Sequence, residues 1–285
     1  MHLVATVFSN DEVPSAYYRK GNQLEEVGMD LKLKNKVAVV TGASRGIGSS
    51  IARALASEGM HLAIAARSMD MLDEVAKSCE SEVIAVPIDL REQEAPQRLI
   101  DAAAKRFGRI DLLVNNAGAT KRGDFMALTE ADWEDGFALK FFATVRCSRA
   151  AWPYLQASNG AVINIVGVGG RTGNAEFAIG GSVNAAILNL TKVLADRGIK
   201  DGIRVNAINP GSIATDRLQT RIKQFAAENQ ISIPDAAKAM AVKLGIARFG
   251  EPEEIARVVA FIASSAAGYC QGSIIDVDGG QTKTL

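Results

Sequence analysis

Short apolar runs that end in glycine or asparagine alternate along most of this chain with longer stretches of helical periodicity. Residues 36–42 (KVAVVTG), 60–67 (MHLAIAAR), 81–90, 110–118, 160–167, 202–211 and 272–280 predict seven strands. Their near-continuous Val, Ile, Leu and Ala content is that of strands covered on both faces, as in parallel sheets. Helical patterns occupy 46–58, 69–79, 94–107, 130–156, 178–197 and 251–265. Strand–helix alternation of this kind predicts an α/β fold, a doubly wound seven-stranded parallel sheet with right-handed crossovers and helices on both faces. No internal repeat and no low-complexity linker interrupts it, so residues 29–285 read as a single domain. Residues 1–28 are mixed and aperiodic, while "MDLKLKNKVAVVTG" from Met29 already reads as a complete start. The expectation for 1–28 is an upstream extension or a mis-chosen start codon rather than a second domain.

Composition narrows the function classes. Of 285 residues 48% are hydrophobic, and Lys plus Arg equal Asp plus Glu at 32 each. Such a balance argues against nucleic acid or a membrane surface as partner. Three cysteines (Cys79, Cys147, Cys270) lie far apart without a CxxC, and there are only two histidines, so no metal site is expected. Reduced thiols in a cytoplasmic protein are the expectation. No apolar run approaches the ~18 residues of a membrane span, and the N-terminus lacks the pattern of a secretory signal.

The first predicted strand runs directly into "TGASRGIG" (Thr41 to Gly48) and then a helix. Glycines at 42, 46 and 48 permit a turn of otherwise strained dihedrals and close approach of phosphates. The helix that follows offers free N–H groups and a positive dipole end to a pyrophosphate. Here the chain resembles the short-chain dehydrogenase/reductase family, over about residues 30–285. The motifs that carry the resemblance are "TGASRGIG", the NNAG at Asn115 to Gly118, Asp89 after the third strand, "NPGSIAT" (209–215), "ARFGEPEEIA" (247–256) and "DVDGG" (276–280). It implies a Rossmann-type dinucleotide-binding fold and a nicotinamide cofactor. It also implies that Gly42, Ser44, Arg45, Gly46, Ile47, Gly48, Arg67, Asp89, Leu90, Asn116, Ala117, Gly118, Pro210, Gly211, Ile213 and Thr215 line the cofactor site, with Asp89 toward the adenine and the 209–215 segment toward the nicotinamide. A homo-oligomer, tetrameric in the family's manner, is implied too; the long apolar helices at 130–156 and 178–197 point the same way.

Charge distinguishes the two nicotinamide cofactors. An acid ending the second strand binds the ribose hydroxyls of NAD and repels an added phosphate. Here that strand ends "AAARS", so Arg67 stands there, and Arg45 lies in the glycine loop. Two guanidiniums suit a 2′-phosphate, and NADP is expected over NAD.

The resemblance also says where chemistry is done: a Ser, a Tyr thirteen residues later, a Lys four beyond it, and an Asn on the preceding long helix. Counting along "INIVGVGG" places the serine position at Gly167. Counting back from "NLTKVLA" places the tyrosine position at Gly180 and the lysine position at Asn184, and counting seven from Trp133 places the asparagine position at Lys140. All four depart from the pattern. None of Tyr17, Tyr18, Tyr154 and Tyr269 offers a neighbouring substitute. A general acid matched to its task by a nearby cation is thus missing. Glycine at 167 and 180 predicts a site that is wider and wetter. The weak candidates for a replacement are Lys140, reaching toward the space at 184, and Glu176, just before the glycine pair. Arg217, Arg221 and Lys223 could meet an acidic substrate, a solvated basic helix face being the more ordinary reading. Three readings follow: an NADP-dependent oxidoreductase with a non-standard acid (water or Lys140) and a small-molecule substrate, bulky or acidic; a nucleotide-binding scaffold or regulatory subunit; or a non-redox lyase or hydrolase.

Overall fold

The structure is a computed structural model that describes residues 17–20, 23–26 and 29–284. The chain divides into two compact units, Met1–Leu31 and Lys32–Leu285. In the first, β1 (Tyr17–Lys20) and β2 (Gln23–Glu26) pair antiparallel, with Tyr17 opposite Glu26 and Lys20 opposite Gln23. The aperiodic pattern predicts no strand there; the remainder of the expected 1–28 extension lies outside the described residues.

In the second unit all seven predicted strands form: β3 (Val37–Thr41), β4 (His61–Ala66), β5 (Val83–Pro87), β6 (Leu112–Asn115), β7 (Ala161–Ile165), β8 (Arg204–Pro210) and β9 (Ile274–Val277). Their order is β5-β4-β3-β6-β7-β8-β9, and every neighbouring pair is parallel. The winding reverses between β3 and β6, and in such sheets the ligand crevice opens outside the carboxyl ends at that switch point.

The helices are α1 (Gly46–Ser57), α2 (Met69–Lys77), α3 (Ala95–Phe107), α4 (Glu130–Gly136), α5 (Ala143–Ser158), α6 (Ala178–Asp201), α7 (Asp216–Asn229), α8 (Ile233–Leu244) and α9 (Pro252–Ala263). The single helix predicted at 130–156 is in fact α4 and α5 joined through a wider π-helical stretch, Phe137–Phe142. The pattern anticipates α7 only as a basic face and does not anticipate α8. Their apolar stripes are narrow and close on each other, Leu218, Ile222 and Ala226 against Ala236 and Met240, in a small cluster of their own.

By length and composition α6 with the turn before it (Ala175–Asp201) is apolar enough to cross a membrane, although no run-by-run reading marks it. Its stripe of Ile179, Val183, Ile187, Leu188, Thr191 and Ala195 is buried, and the helix packs on β8. At α6's start, Gly136 lets α4 approach so closely that a Cβ there would crowd the Ile179 side chain.

A sheet buried on both faces must satisfy every polar group it encloses. Asn115 at the end of β6 donates to Asn164 Oδ1 (2.9 Å) and to the Ser148 hydroxyl of α5 (3.2 Å). Asn164 on β7 donates in turn to Thr191 Oγ1 of α6 (2.9 Å), and Thr191 donates to the Ile187 carbonyl (2.8 Å). Asn164 and Thr191 are completely buried. Replacing Asn164 by Ala orphans donors or acceptors on two elements, each costing about 1–3 kcal/mol. Thermal and denaturant unfolding should report a loss of at least that size, and an unchanged midpoint would show that water replaces the amide.

Candidate functional site

The glycine turn and the turn after β6 are knitted by two side chains. Thr41 Oγ1 donates to the Val114 carbonyl (3.2 Å) and accepts from the backbone N–H groups of Asn116 (2.9 Å) and Ala117 (3.0 Å). Asn116 Nδ2 donates back to the carbonyls of Thr41 and Gly42, both at 3.0 Å. Gly42 adopts φ +65° and Gly46 φ +57°, and a Cβ on Gly48 would overlap the Gly42 carbonyl. The turn is therefore tight enough to need glycine at all three places. No side chain caps α1 and no acid stands in its first turn, which leaves the helix N-terminus available to an anion.

In front of this turn lies a cleft of about 390 Å³. Its wall contains the glycine-loop residues expected there, Arg67, Asp89, Leu90, Asn116 to Gly118 and Thr215. A Cβ on Gly46 would come within 3.2 Å of the Thr215 methyl, so the absence of a side chain at 46 keeps the cleft open across its middle. Three of the expected residues lie off the lining. Pro210 ends β8, Gly211 donates its N–H to the Val277 carbonyl (3.1 Å) and packs on Asp278, and the buried Ile213 pairs with Gly250. β9 and the turn at Gly250 claim that segment.

Asp89 does not stand alone. Its carboxylate accepts from the Arg91 backbone (3.0 Å) and guanidinium (3.3 Å), and Arg91 also forks onto Asp135 at 2.5 and 3.1 Å. Arg91 lines the cleft and is a residue the sequence reading misses, although it sits two positions beyond Asp89. Arg217, which the sequence reading places on a basic helix face toward an acidic substrate, lines the cleft as well, and its guanidinium donates to the Gly118 carbonyl at 2.7 Å. Burial and the nearby Arg45 hold Arg217 below the usual arginine range. Arg45, Arg67 and Arg217 have no carboxylate partner among the ion pairs of the described residues. The cleft is shaped and charged for a phosphorylated dinucleotide.

Past Gly118 the four positions in question come together. Lys140, on the π-helical stretch, runs its methylenes against Gly118 and donates from Nζ to the Val166 carbonyl (2.7 Å) and to Asn184 Oδ1 (2.5 Å). It does not turn outward to solvent. Burial, with Arg217 adding repulsion, pushes its amine down to about 7. Asn184, on α6 and only 2% exposed, donates from Nδ2 to the Gly167 carbonyl (3.4 Å). Gly167 has φ +129°, and its N–H is held by Asn209 Oδ1 (3.1 Å).

The expectation of a wider, wetter site at Gly180 is wrong. The Phe177 ring, contributed from one turn upstream, occupies the space a side chain at 180 would enter, and a Cβ there would overlap the ring. Gly169 on the other side is equally close, with its Cβ position 2.8 Å from Phe177 Cε1, and Gly181 lies against the Gly169 carbonyl. The glycines make a slot for an aromatic ring. The Arg122 guanidinium covers it at 4.1 Å from the ring centroid, a cation–π contact. Glu176 is exposed on the adjoining turn, its field felt by Arg122 and its backbone carbonyl taken by Gly123 N–H (3.1 Å). His61 stacks on Phe107 (5.7 Å), at the opposite end of its strand from the cleft.

A twisted parallel sheet with a glycine turn at its switch point defines a dinucleotide-binding α/β protein. A family model described as enoyl-(acyl carrier protein) reductase matches residues 42–282. A 3-oxoacyl-(acyl-carrier-protein) reductase of Staphylococcus epidermidis is 36% identical over 86% of this chain and 98% of its own length. The meso-2,3-butanediol dehydrogenase of Serratia marcescens is 32% identical over 88% and 96%. Among solved structures, L-sorbose reductase from Gluconobacter frateurii, complexed with NADPH and L-sorbose, superposes with a TM-score of 0.87 at 35% identity, covering 90% of this chain and 100% of that one. The chain belongs to the short-chain dehydrogenase/reductase family of oxidoreductases.

The Phe177 slot makes a direct prediction. Gly180→Ala should destabilise the protein by about 1–3 kcal/mol, the usual cost of overpacking. Phe177→Ala should remove most of that penalty, giving a favourable coupling in a double-mutant cycle read by denaturant unfolding. Additive effects would mean the ring leaves the slot freely.

Proposed function

We propose that this protein is an NADP(H)-dependent oxidoreductase that interconverts a ketone and a secondary alcohol on a small substrate, through an active site in which the four positions at 140, 167, 180 and 184 do not carry the family's usual groups. The observation that carries the reading is the charge of the cleft: Arg67 where a carboxylate selects NAD, Arg45 in the phosphate turn, and an uncapped α1 between them. Arg45 and Arg67 would hold the 2′-phosphate, the start of α1 the pyrophosphate, and Asp89 with Leu90 the adenine. The bound nicotinamide supplies or accepts hydride; the chain's part is to orient it, keep water out behind Phe177, and manage the proton on the substrate oxygen.

The names of the relatives favour this over a scaffold or a non-redox lyase, since those named above are reductases and dehydrogenases. Those names suggest vicinal ketones, ketoses and 3-oxoacyl thioesters as the first compounds to try. A homotetramer belongs to the same reading. Val193 (56% exposed) and Ile199 (71%) on α6 leave apolar surface for another copy to cover, and light scattering should give four times the mass of the chain; a monomer at micromolar concentration would contradict it.

The cofactor reading is tested by fluorescence or calorimetric titration. Charge-assisted hydrogen bonds contribute about 1.5–3 kcal/mol each, so NADPH should bind at least tenfold more tightly than NADH. Arg67→Ala and Arg45→Ala should each erase about tenfold or more of that preference while leaving NADH binding nearly unchanged. Equal affinities in the wild type, or a preference indifferent to both arginines, would overturn it.

A further inference from the structure

We propose that Lys140 is the residue that gives and takes the proton on the substrate oxygen, and that Asn184 is the positioning residue that aims its amine. The assignment rests on the hydride-transfer reading above and gives it the acid it lacks.

Hydrogen-bond counting supports it. An ammonium carries three N–H donors and a neutral amine two donors and a lone pair. At Lys140 two donors are taken, by the Val166 carbonyl (2.7 Å) and Asn184 Oδ1 (2.5 Å). The third site is a proton in one state and a lone pair in the other, and both states keep the same two bonds. A group that must shed and regain a proton without rearranging its neighbours needs that property. Its long stem lies along Gly118, whose Cα faces it closely enough that a Cβ would come within 2.8 Å of Lys140 Cδ. Glycine at 118 thus gives the chain its passage from the π-helical stretch to the carboxyl ends of the strands.

Asn184 is held in one orientation. Its Nδ2 points to the Gly167 carbonyl (3.4 Å) and its Oδ1 to the amine, and Gly170 packs against its Cβ. The two residues thus exchange the roles that the resemblance assigns to these positions: the cation comes from 140 and the amide from 184, and they meet at one point. Among the described residues no other ionisable side chain competes. Glu176 is exposed and faces Arg122, Phe177 brings a ring without a hydroxyl, and the hydrogen-bond partners of the Lys140 amine are one carbonyl, that of Val166, and one amide, that of Asn184. Arg217 on α7 is the charged group whose field reaches it, and together with burial it sets the amine near neutrality, where an acid–base group works best.

In the reducing direction the Lys140 N–H bond breaks and an O–H bond forms on the substrate oxygen as that oxygen takes the carbonyl π pair. The hydride at the carbonyl carbon would be supplied by NADPH held in the cleft, which would become NADP⁺. The neutral amine then recovers its proton from solvent, and oxidation of the alcohol runs the same proton backward.

Two measurements test this, the first without cofactor. In full-length chain labelled with [13Cε]lysine, the resonance lost in Lys140→Arg is that of Lys140. It should titrate near 7, against about 10.4 for an ordinary lysine. In Asn184→Ala the midpoint should fall further, because Oδ1 favours the charged form. An amine titrating near 10, or one indifferent to Asn184→Ala, overturns the assignment. The second is NADPH oxidation with butane-2,3-dione, L-sorbose and an acetoacetyl thioester. For a substrate turned over by wild type, kcat should fall as pH rises, with a midpoint at or above that of the cofactor-free amine, because an anion in the cleft favours the ammonium form. At saturating NADPH, Lys140→Met and Lys140→Arg should each lower kcat about 10²–10⁴-fold, with melting temperature little changed. Lys140→Arg keeps the charge but cannot release a proton, so an active arginine variant with the wild-type pH profile overturns the proton role while leaving the oxidoreductase reading intact. A wild type that binds NADPH but reduces none of the three overturns that reading and this assignment with it.

Discussion

The bond from Asn164 on β7 to Thr191 on α6 (2.9 Å) determines where the chemistry of this protein can lie. It is completely buried, and so is the bond from Asn115 that precedes it. An unmade partner there would cost more than any sliding of α6 could recover. With Thr191 pinned to the middle of the sheet, the residue seven positions earlier lies two helical turns toward the strands' carboxyl ends, on the same face. That residue is Asn184. Its amide is therefore presented beside Gly167, just past the end of β7, by a polar chain that begins in the sheet, and Lys140 reaches a partner whose place is already determined.

The strands were legible because a parallel strand buried on both faces leaves a nearly unbroken apolar run, and "KVAVVTG" or "GAVINIVG" has no other good use in a soluble chain. The glycine turn was legible for the same kind of reason: residues that need positive φ or must admit a close backbone leave glycine behind. The helices above the cleft were harder. In α7 the stripe of Leu218, Ile222 and Ala226 is thin within a strongly polar segment, and it closes on α8 instead of the sheet. Serine at 232, proline at 234 and a glycine at 245 did mark the ends of α8, and could have found it.

Phe177 was the real blind spot. A run of two glycines at the start of a helix reads as lost volume, since a sequence shows which side chains are missing and not which neighbour fills their place. The ring that fills it comes from a short irregular turn, where no periodicity predicts direction. The π-helical stretch is equally silent: "FALKFF" continues the apolar pattern of an ordinary helix, yet the wider turn is what carries Lys140 at its middle, with Phe137 and Phe141 on the α6 side. Such insertions recur at functional sites. One consequence is that a tyrosine cannot simply be reinstated at 180. Phe177 must leave, Asn184 and Lys140 must trade places, and residues that act as a unit respond poorly to being changed singly.

The cleft and the amine share one electric field. Arg217 lies between them, holding the Gly118 carbonyl at one side of the wall and repelling Lys140 at the other; Arg45 in turn repels Arg217. An anion seated among these arginines cancels part of that repulsion and favours the ammonium form of Lys140. By reciprocity, the protonated amine favours the anion. A polyanionic nucleotide and a proton at Lys140 thus promote each other's binding, and the cleft would fill with the acid already charged. Burial alone would leave the amine too easily neutral to serve reduction above pH 7. Coupled to the arginines, the same burial keeps the proton mobile while occupancy of the cleft keeps it present.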